Sequence, residues 1–517
     1  MHLTQGLHRA VQQNPDLPAT IDGDRVRCWA ESADRVARLA AGLRAHGVRP
    51  GDRVALLALN GDLYHEVLLA VPWADAVLVP VNTRWSVPEI AFSLRDCDAA
   101  VLVVDDAFAA IVPALREQTP DLRVVLHSGE SAQRPDGAVD VEGVIAGHQP
   151  VEDARRGGDA LAGIFYTGGT TGHPKGVMLS HDNVMSNILG AAAAGVMWDP
   201  GSRLLHVAPM FHLAALTGWA IGVTVGGTHV FLPGFTPGGV AAAIERHHVE
   251  GMLLVPTMIQ MLVDSPDAAG ADLSSLRRLL YGASPISDAV LARAAERLPG
   301  VGFTQAYGMS ELSPIATLLS PTDHLDPVRR RSGGRAAPHC EVRIVDEQDR
   351  ELPRGGVGQI VARGDNVMLG YWNRPEETAE ALRGGWMHTG DGGYMDDHGY
   401  VYVVDRIKDM IVTGGENVYS VEVENALATH PAVASCAVIG VPDAGWGERV
   451  HAVVVLAGDV PTPDAEELRE HVKNRIAGYK APRTVEFVDA LPLSGAGKVL
   501  KRELRKEHWS GAARGVS

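Results

Sequence analysis

Tyr166-Thr167-Gly168-Gly169-Thr170-Thr171-Gly172-His173-Pro174-Lys175-Gly176 is the stretch on which the reading of this chain turns. It follows an apolar run, Leu161 to Phe165, that reads as a short buried strand. Glycine leaves backbone N–H groups open to an anion and permits positive φ. Successive N–H groups in a tight turn form an anion-binding concavity. The threonine hydroxyls and the Lys175 ammonium add further donors. No Gly-Lys-Ser/Thr triplet closes the stretch, so it is not a Walker loop. The plain alternative is a glycine turn between a strand and a helix. The density of donors favours a phosphate cradle.

Working outward, the chain has 517 residues, more than one ordinary domain holds. An apolar fraction of 46% and a charged fraction of 21% fit a soluble globular protein. The net charge of −17 argues against a nucleic-acid partner and against an anionic membrane surface. A polyanionic ligand must therefore rely on local Lys and Arg. Cys28, Cys97, Cys340 and Cys436 are scattered without metal-ligand spacing. A reducing, cytoplasmic location is the expectation. The N-terminus lacks the apolar core of a signal peptide. Leu213 to Leu232 is nearly uncharged, but Thr217, Thr224, Gly226, Gly227, Thr228 and His229 interrupt it. It reads as a buried helix running into a buried strand, not as an integral membrane segment.

Before the loop, helix-periodic stretches (Ser32 to His46, Tyr64 to Ala74) alternate with strand-like runs (Arg53 to Leu59, Ala76 to Val81, Ala99 to Val104). That alternation predicts α/β architecture with parallel-rich sheets. After it, Ser180 to Ala194 reads as a helix and Leu204 to Pro209 as a strand that ends in Phe211-His212. Leu279 to Pro285 reads as a strand ending in small residues, where a flat ligand can approach the backbone. An ordinary strand-to-helix turn capped by Ser284-Pro285 explains those residues equally well. From Gly333 the character changes to short alternating strands, Val342 to Val345, Gly358 to Ala362 and Tyr400 to Val404, which predict an antiparallel β subdomain. Val421 to Ser517 reads as a small α+β domain.

Tyr-Thr-x-Gly-Thr-Thr-Gly-x-Pro-Lys-Gly at 166–176 resembles the signature loop of the adenylate-forming superfamily, in its acyl-CoA synthetase and fatty-acid–CoA ligase branch. Tyr307-Gly308-Met309-Ser310-Glu311, Gly370 to Pro375, Trp386 to Asp391, Asp405 to Tyr419 and Leu493 to Lys498 are similar to later motifs of the same family, in order and at proper spacing over roughly residues 10 to 505. The resemblance implies a large domain over 1–407 and a small mobile domain over 408–517, hinged near Lys408. It implies ATP, Mg²⁺ and CoA as cofactor and co-substrates, and an apolar carboxylic acid as the substrate. A homodimer is compatible with it. Thr167, Gly168, Gly169, Thr170, Thr171, Gly172 and Lys175 would hold the phosphates, and Glu311 the metal. Gly282, Ala283, Ser284, Tyr307, Gly308 and Ser310 would border the adenine, while Asp391 and Arg406 would meet the ribose. His212, Leu213, Leu216, Met258, Gly282 and Met309, with Trp219 nearby, would line the acyl pocket. Lys498 would be the adenylating lysine. Lys498, Glu311, Thr167, Lys175 and His212 form the catalytic set. Lys408, Gly414, Gly415, Glu416 and Asn417 would form the hinge and the CoA channel. Three positions depart from the family pattern. Gly168 replaces Ser, Ser310 replaces Thr, and Ser420 replaces a Pro, which is expected to make its loop less rigid.

An adenylating enzyme with another acceptor, such as an amine, another nitrogen nucleophile or a carrier-protein thiol, is the rival within this class. A non-catalytic nucleotide-binding protein is disfavoured by Lys498, Glu311 and Asp391 occurring together. No Gly-x-Ser-x-Gly elbow suggests a hydrolase.

Overall fold

The structure is a computed structural model. It describes residues 1–167, 174–284, 286–413, 416–443, 445–458, 461–494 and 499–509, with only the backbone at Lys408 and Asn417. Gly168, Gly169, Thr170, Thr171, Gly172, Gly414, Gly415 and Lys498 thus lie outside the described residues.

The large domain is built on two sheets that clamp a shared layer of helices. One sheet has eight strands, with Leu161–Thr167 beside Val77–Pro80 and then Arg53–Leu57, Ala99–Asp105, Val124–Ser128 and Val139–Asp140, all parallel. These strands are short and continuously apolar, as expected of strands buried on both faces. The other sheet has nine strands, parallel from Pro18–Asp22 through Thr228–Phe231, Arg203–His206, Gly251–Leu254 and Arg278–Gly282 to Gly302–Gly308. Helices Trp29–Ala45, Asp62–Trp73, His181–Ala193 and Leu213–Val225 lie between the sheets and pack into one core with residues of both. The uncharged stretch from Leu213 does run from that buried helix into the strand Thr228–Phe231, with Gly226 in the left-handed conformation at the helix end.

Two elements differ from expectation. The phosphate-loop stretch does not lead from a strand directly into a helix. It joins Leu161–Thr167 to a second, antiparallel strand, Lys175–Ser180, with Thr167 opposite Lys175. Only then does Ser180 cap the helix His181–Ala193, its hydroxyl accepting from the Asn183 N–H. The antiparallel sheet has four strands, Glu341–Val345, Gly358–Arg363, Met387–Met395 and Val401–Arg406. Its third strand carries the Thr389-Gly390-Asp391 segment.

The small domain has its own core around Ile411, Val423, Val438, Val450, Leu468 and Val472. Its sheet pairs Val433–Asp443 with Gly447–Leu456 over a long antiparallel run, and Thr484–Phe487 joins in parallel. Ser420 corrects the expectation of a looser loop. It is fully buried, and its N–H and hydroxyl both donate to Asp405 Oδ2 at 2.6 Å. Lys501 Nζ reaches the same hydroxyl at 2.5 Å and Glu424 Oε1 at 2.7 Å. A proline could not make the first two bonds. Burial alone would lower the Lys501 pKa, but the Glu424 and Asp405 carboxylates outweigh it and hold the ammonium above its ordinary value.

Candidate active site

The ends of the parallel strands set the site. At the end of Gly302–Gly308 the chain turns through Ser310–Leu312 and buries Glu311. Two buried asparagines hold that turn. The amides of Asn187 and Asn366 each donate to the carbonyls of Leu312 and Ile315, and Ser313 Oγ donates to the Asn366 carbonyl at 2.8 Å. Tyr371 OH donates to Glu311 Oε1 at 2.8 Å. Lys175, at the far end of the phosphate-loop hairpin, lies over the Tyr371 ring at 5.1 Å and pairs with Glu377. Burial, then the Glu311 and Glu377 charges, push the Tyr371 phenol far above its ordinary pKa, so it stays a donor. Lys175, Tyr371 and Glu311 thus form one connected group between the phosphate loop and the acidic turn.

A second phenol–carboxylate pair lies on the antiparallel sheet. Tyr307 OH donates to Asp391 Oδ2 at 2.9 Å. Asp391 stands opposite Arg406 in the strand register, and Arg406 Nε is 3.4 Å from Asp391 Oδ1. Burial, then Asp391, raise the Tyr307 pKa well above its usual value. A cation, a phenol and a carboxylate at one strand crossing offer donors and acceptors suited to a ribose diol.

Gly282 lies at the end of Arg278–Gly282, paired with Ala306. A Cβ there would meet the Ala306 carbonyl oxygen at 2.2 Å, so only glycine fits. Ala283 follows with a φ of +67°, uncommon for a residue with a side chain. Ser284 is half-buried beside it. His212 precedes the helix Leu213–Val225, its ring 4.3 Å from that of Phe211. Leu213 and Leu216 pack into the inter-sheet core, with Met309 against it, and Met258 packs on the outer face of the nine-stranded sheet. A cavity under the same helix is lined by Trp198, Ala208, Ala215, Gly218 and Leu253, among others. The Trp198 indole N–H donates to the Gly218 carbonyl at 2.9 Å.

On the small domain Lys408 sits in the single turn Ile407–Asp409, and Glu416, exposed, opens the strand Glu416–Val418. Ser494 of the small domain meets the large domain, where Arg84 Nη1 donates to its carbonyl at 3.4 Å. The neighbouring Trp85 ring packs on Tyr166, 6.5 Å between centroids, beside Thr167. Sequence reasoning assigned no role to Tyr371, Glu377 or Trp198. Tyr371 lay within a quoted motif, Gly370 to Pro375, but its partner is 60 residues away in sequence.

Fold and site together define an enzyme that activates a substrate with a nucleotide. The chain matches the family described as AMP-binding enzyme over residues 7–372 and its C-terminal domain over 422–498. It belongs to that family, the adenylate-forming superfamily. It is 42% identical over 501 residues to a feruloyl-CoA synthase of Amycolatopsis, covering 96% of this chain and 97% of that protein. It is 37% identical to a medium/long-chain-fatty-acid–CoA ligase of Mycobacterium tuberculosis, covering 100% of this chain and 91% of the relative. Among solved structures, the amide bond synthetase McbA from Marinactinospora thermotolerans superposes with a TM-score of 0.88 at 33% identity, covering 97% of this chain and 99% of that one.

Proposed function

We propose that this protein is an ATP-dependent acyl-CoA synthetase, an AMP-forming acid–thiol ligase acting on an apolar carboxylic acid. The connected group Lys175–Tyr371–Glu311 carries the reading, because it ties the phosphate loop to a buried acid. In the first half-reaction a carboxylate oxygen of the acid attacks the α-phosphorus of ATP. The bond from that phosphorus to the bridging oxygen breaks, and pyrophosphate leaves with it. Such chemistry needs positioning and charge stabilisation above all. Thr167, Thr170, Thr171 and Lys175 hold the phosphates in this reading, and Lys498 offsets the charge at the reacting oxygens. A hard oxygen donor fits Mg²⁺, which binds through one or two carboxylates and the substrate's phosphates. Glu311 is the residue that would hold it, and the ion would neutralise phosphate charge. Tyr371 fixes the orientation of Glu311. Asp391 and Arg406 hold the ribose, and Gly282 lets the ligand lie against the strand end.

In the second half-reaction the small domain, residues 408–517, turns about Lys408. The CoA thiolate then attacks the acyl carbon, the bond to AMP breaks, and AMP leaves. The feruloyl and fatty-acid relatives support an aromatic or aliphatic acid. The cysteines, all free, fit a cytoplasmic setting, and a homodimer is the assembly to test by light scattering. The likeness to an amide bond synthetase supports a second reading, in which an amine takes the place of CoA.

Pyrophosphate release across a panel of hydroxycinnamic and medium- to long-chain acids tests the first step. Product analysis with CoA or an amine tests the second. Turnover that depends on an amine and ignores CoA would overturn the thiol reading. Lys498→Ala should abolish acyl-AMP formation yet leave thioester formation from supplied acyl-AMP. Equal loss of both steps would remove the two-conformation scheme.

A further inference from the structure

On the small domain, apart from the site just described, two imidazoles and a carboxylate converge. His451 lies on the strand Gly447–Leu456 and Glu486 on its parallel neighbour Thr484–Phe487. His508 lies just beyond the C-terminal helix Lys501–Lys506. His451 is opposite Thr484 in the register, and Glu486, two residues on, shares the face of Thr484. His451 Nε2 is 3.4 Å from Glu486 Oε2, and His508 Nε2 is 3.9 Å from the same oxygen. One ligating atom from each residue falls within 4.8 Å of the others.

We propose that His451, Glu486 and His508 bind a divalent metal ion of the zinc class. Two imidazoles and one carboxylate suit Zn²⁺ and its transition-metal neighbours better than Mg²⁺ or Ca²⁺, which prefer oxygen alone. Bonds of about 2.0–2.2 Å in a tetrahedron set donor atoms roughly 3.3 Å apart. The His451–Glu486 pair is already at that spacing, and His508, partly exposed, needs only a small side-chain adjustment. The far side of His451 supports the same conclusion. Its Nδ1 lies 2.8 Å from Thr484 Oγ1. That contact holds the ring with Nε2 facing the Glu486 carboxylate. A divalent cation bound there would displace the proton that the two groups now share. Histidine ligands are commonly held this way through their second nitrogen.

The ion would tie the central strand of the small domain to the end of the helix that follows residues 495–498. That helix is already fastened elsewhere, by Lys501 to Glu424 and by Arg505 to Asp409 at 2.6 Å. Beside His508, the Trp509 indole N–H donates to the Gly440 carbonyl at 3.0 Å. The metal would add a fourth fastening, next to that of Trp509.

The test uses the full chain without a histidine tag, stripped with a chelator and titrated with Zn²⁺ against a chromogenic zinc indicator. One tight equivalent per chain is expected, and Co²⁺ should give the intense visible bands of a tetrahedral site. His508→Ala and Glu486→Gln should each weaken binding at least tenfold, and Thr484→Val by about 10- to 100-fold. Zn²⁺ should raise the thermal transition of the small domain in the wild type and not in His508→Ala. His508 is partly exposed, so circular dichroism should show His508→Ala folded, and lost binding then reads as a lost ligand. No saturable equivalent in the wild type would overturn the proposal. So would an equivalent unchanged in both His508→Ala and His451→Gln, which would put the metal elsewhere among the 21 histidines.

Discussion

Each of the two acidic residues assigned to the nucleotide site has a tyrosine hydroxyl donating to it, Tyr371 to Glu311 and Tyr307 to Asp391. A neutral phenol orients a carboxylate without cancelling its charge, so the acid keeps its pull on a cation or a diol. The arrangement makes Asp391 separable from the fold, because Tyr307 is also packed against the core and the Asp391 strand is held by its backbone ladder. Asp391→Ala should therefore leave the circular dichroism spectrum intact and raise the KM for ATP roughly tenfold or more. A hydrogen bond to a charged group is worth about 1.5–3 kcal/mol. An unchanged KM for ATP would remove Asp391 from the ribose site. Neither the Tyr371–Glu311 bond nor the Lys175–Glu377 pair was legible in the sequence. Each joins residues far apart in the chain, and no local periodicity encodes such a meeting. Apart from the donor-rich phosphate loop, the candidates themselves were legible through the resemblance of their motifs to the family's, because a Gly-Asp or Gly-Lys turn alone reads as solvated chain.

Among the elements, the buried helix–strand unit from Leu213 to Phe231 could be read directly from its lack of charge and its Gly226-Gly227 break. The strand Met387–Met395 could not, because Thr-Gly-Asp-Gly-Gly has turn composition, and only pairing on both sides makes it extended. The strand Lys175–Ser180 was hidden for a related reason: a glycine-rich hairpin tip and a loop entering a helix have the same local composition. The helix Leu213–Val225 also anchors Trp198, whose indole N–H donates to its Gly218 carbonyl. At the domain junction, Ser420 joins the strand Val401–Arg406 to the helix Ser420–Leu427 through Asp405. Ser420→Ala loses the hydroxyl and should cost about 1–3 kcal/mol of small-domain stability. Ser420→Pro loses the N–H as well and should cost more, although proline is the residue expected by resemblance. A proline variant as stable as the wild type in urea unfolding would show that the network carries no net stabilisation.

Across the whole molecule, the two sheets enclose polar groups that a sequence reading treats as isolated. His65, His206 and His229 come from a helix and two strands far apart in the chain and meet in the inter-sheet layer, all buried. The Trp219 indole N–H donates to His65 Nδ1 at 3.1 Å, which fixes that nitrogen as an acceptor and leaves Nε2–H for Ser32 Oγ at 3.0 Å. His206 Nε2 and His229 Nδ1 lie 2.9 Å apart, so one donates and the other must be unprotonated there. Burial above all lowers the pKa of His65 and of His206 to about 3, and His229 is lowered as well. The unfolded chain binds these protons near pH 6.5, whereas the folded chain refuses them until about pH 3. The unfolded state therefore holds more protons between those values, and stability rises with pH there. It is fully present above about pH 6.5 and is lost as the pH falls. The slope approaches about 1.4 kcal/mol per pH unit for each such histidine once the pH is below about 6. Most carboxylates titrate below this window, so urea unfolding of the large domain at pH 7, 6 and 5 isolates the histidines. The wild type should lose stability steeply from pH 6 to 5, and His206→Gln should lose it less steeply by about one histidine's share. A flat profile, or the same slope in both proteins, would mean that the trio takes up protons in the folded state.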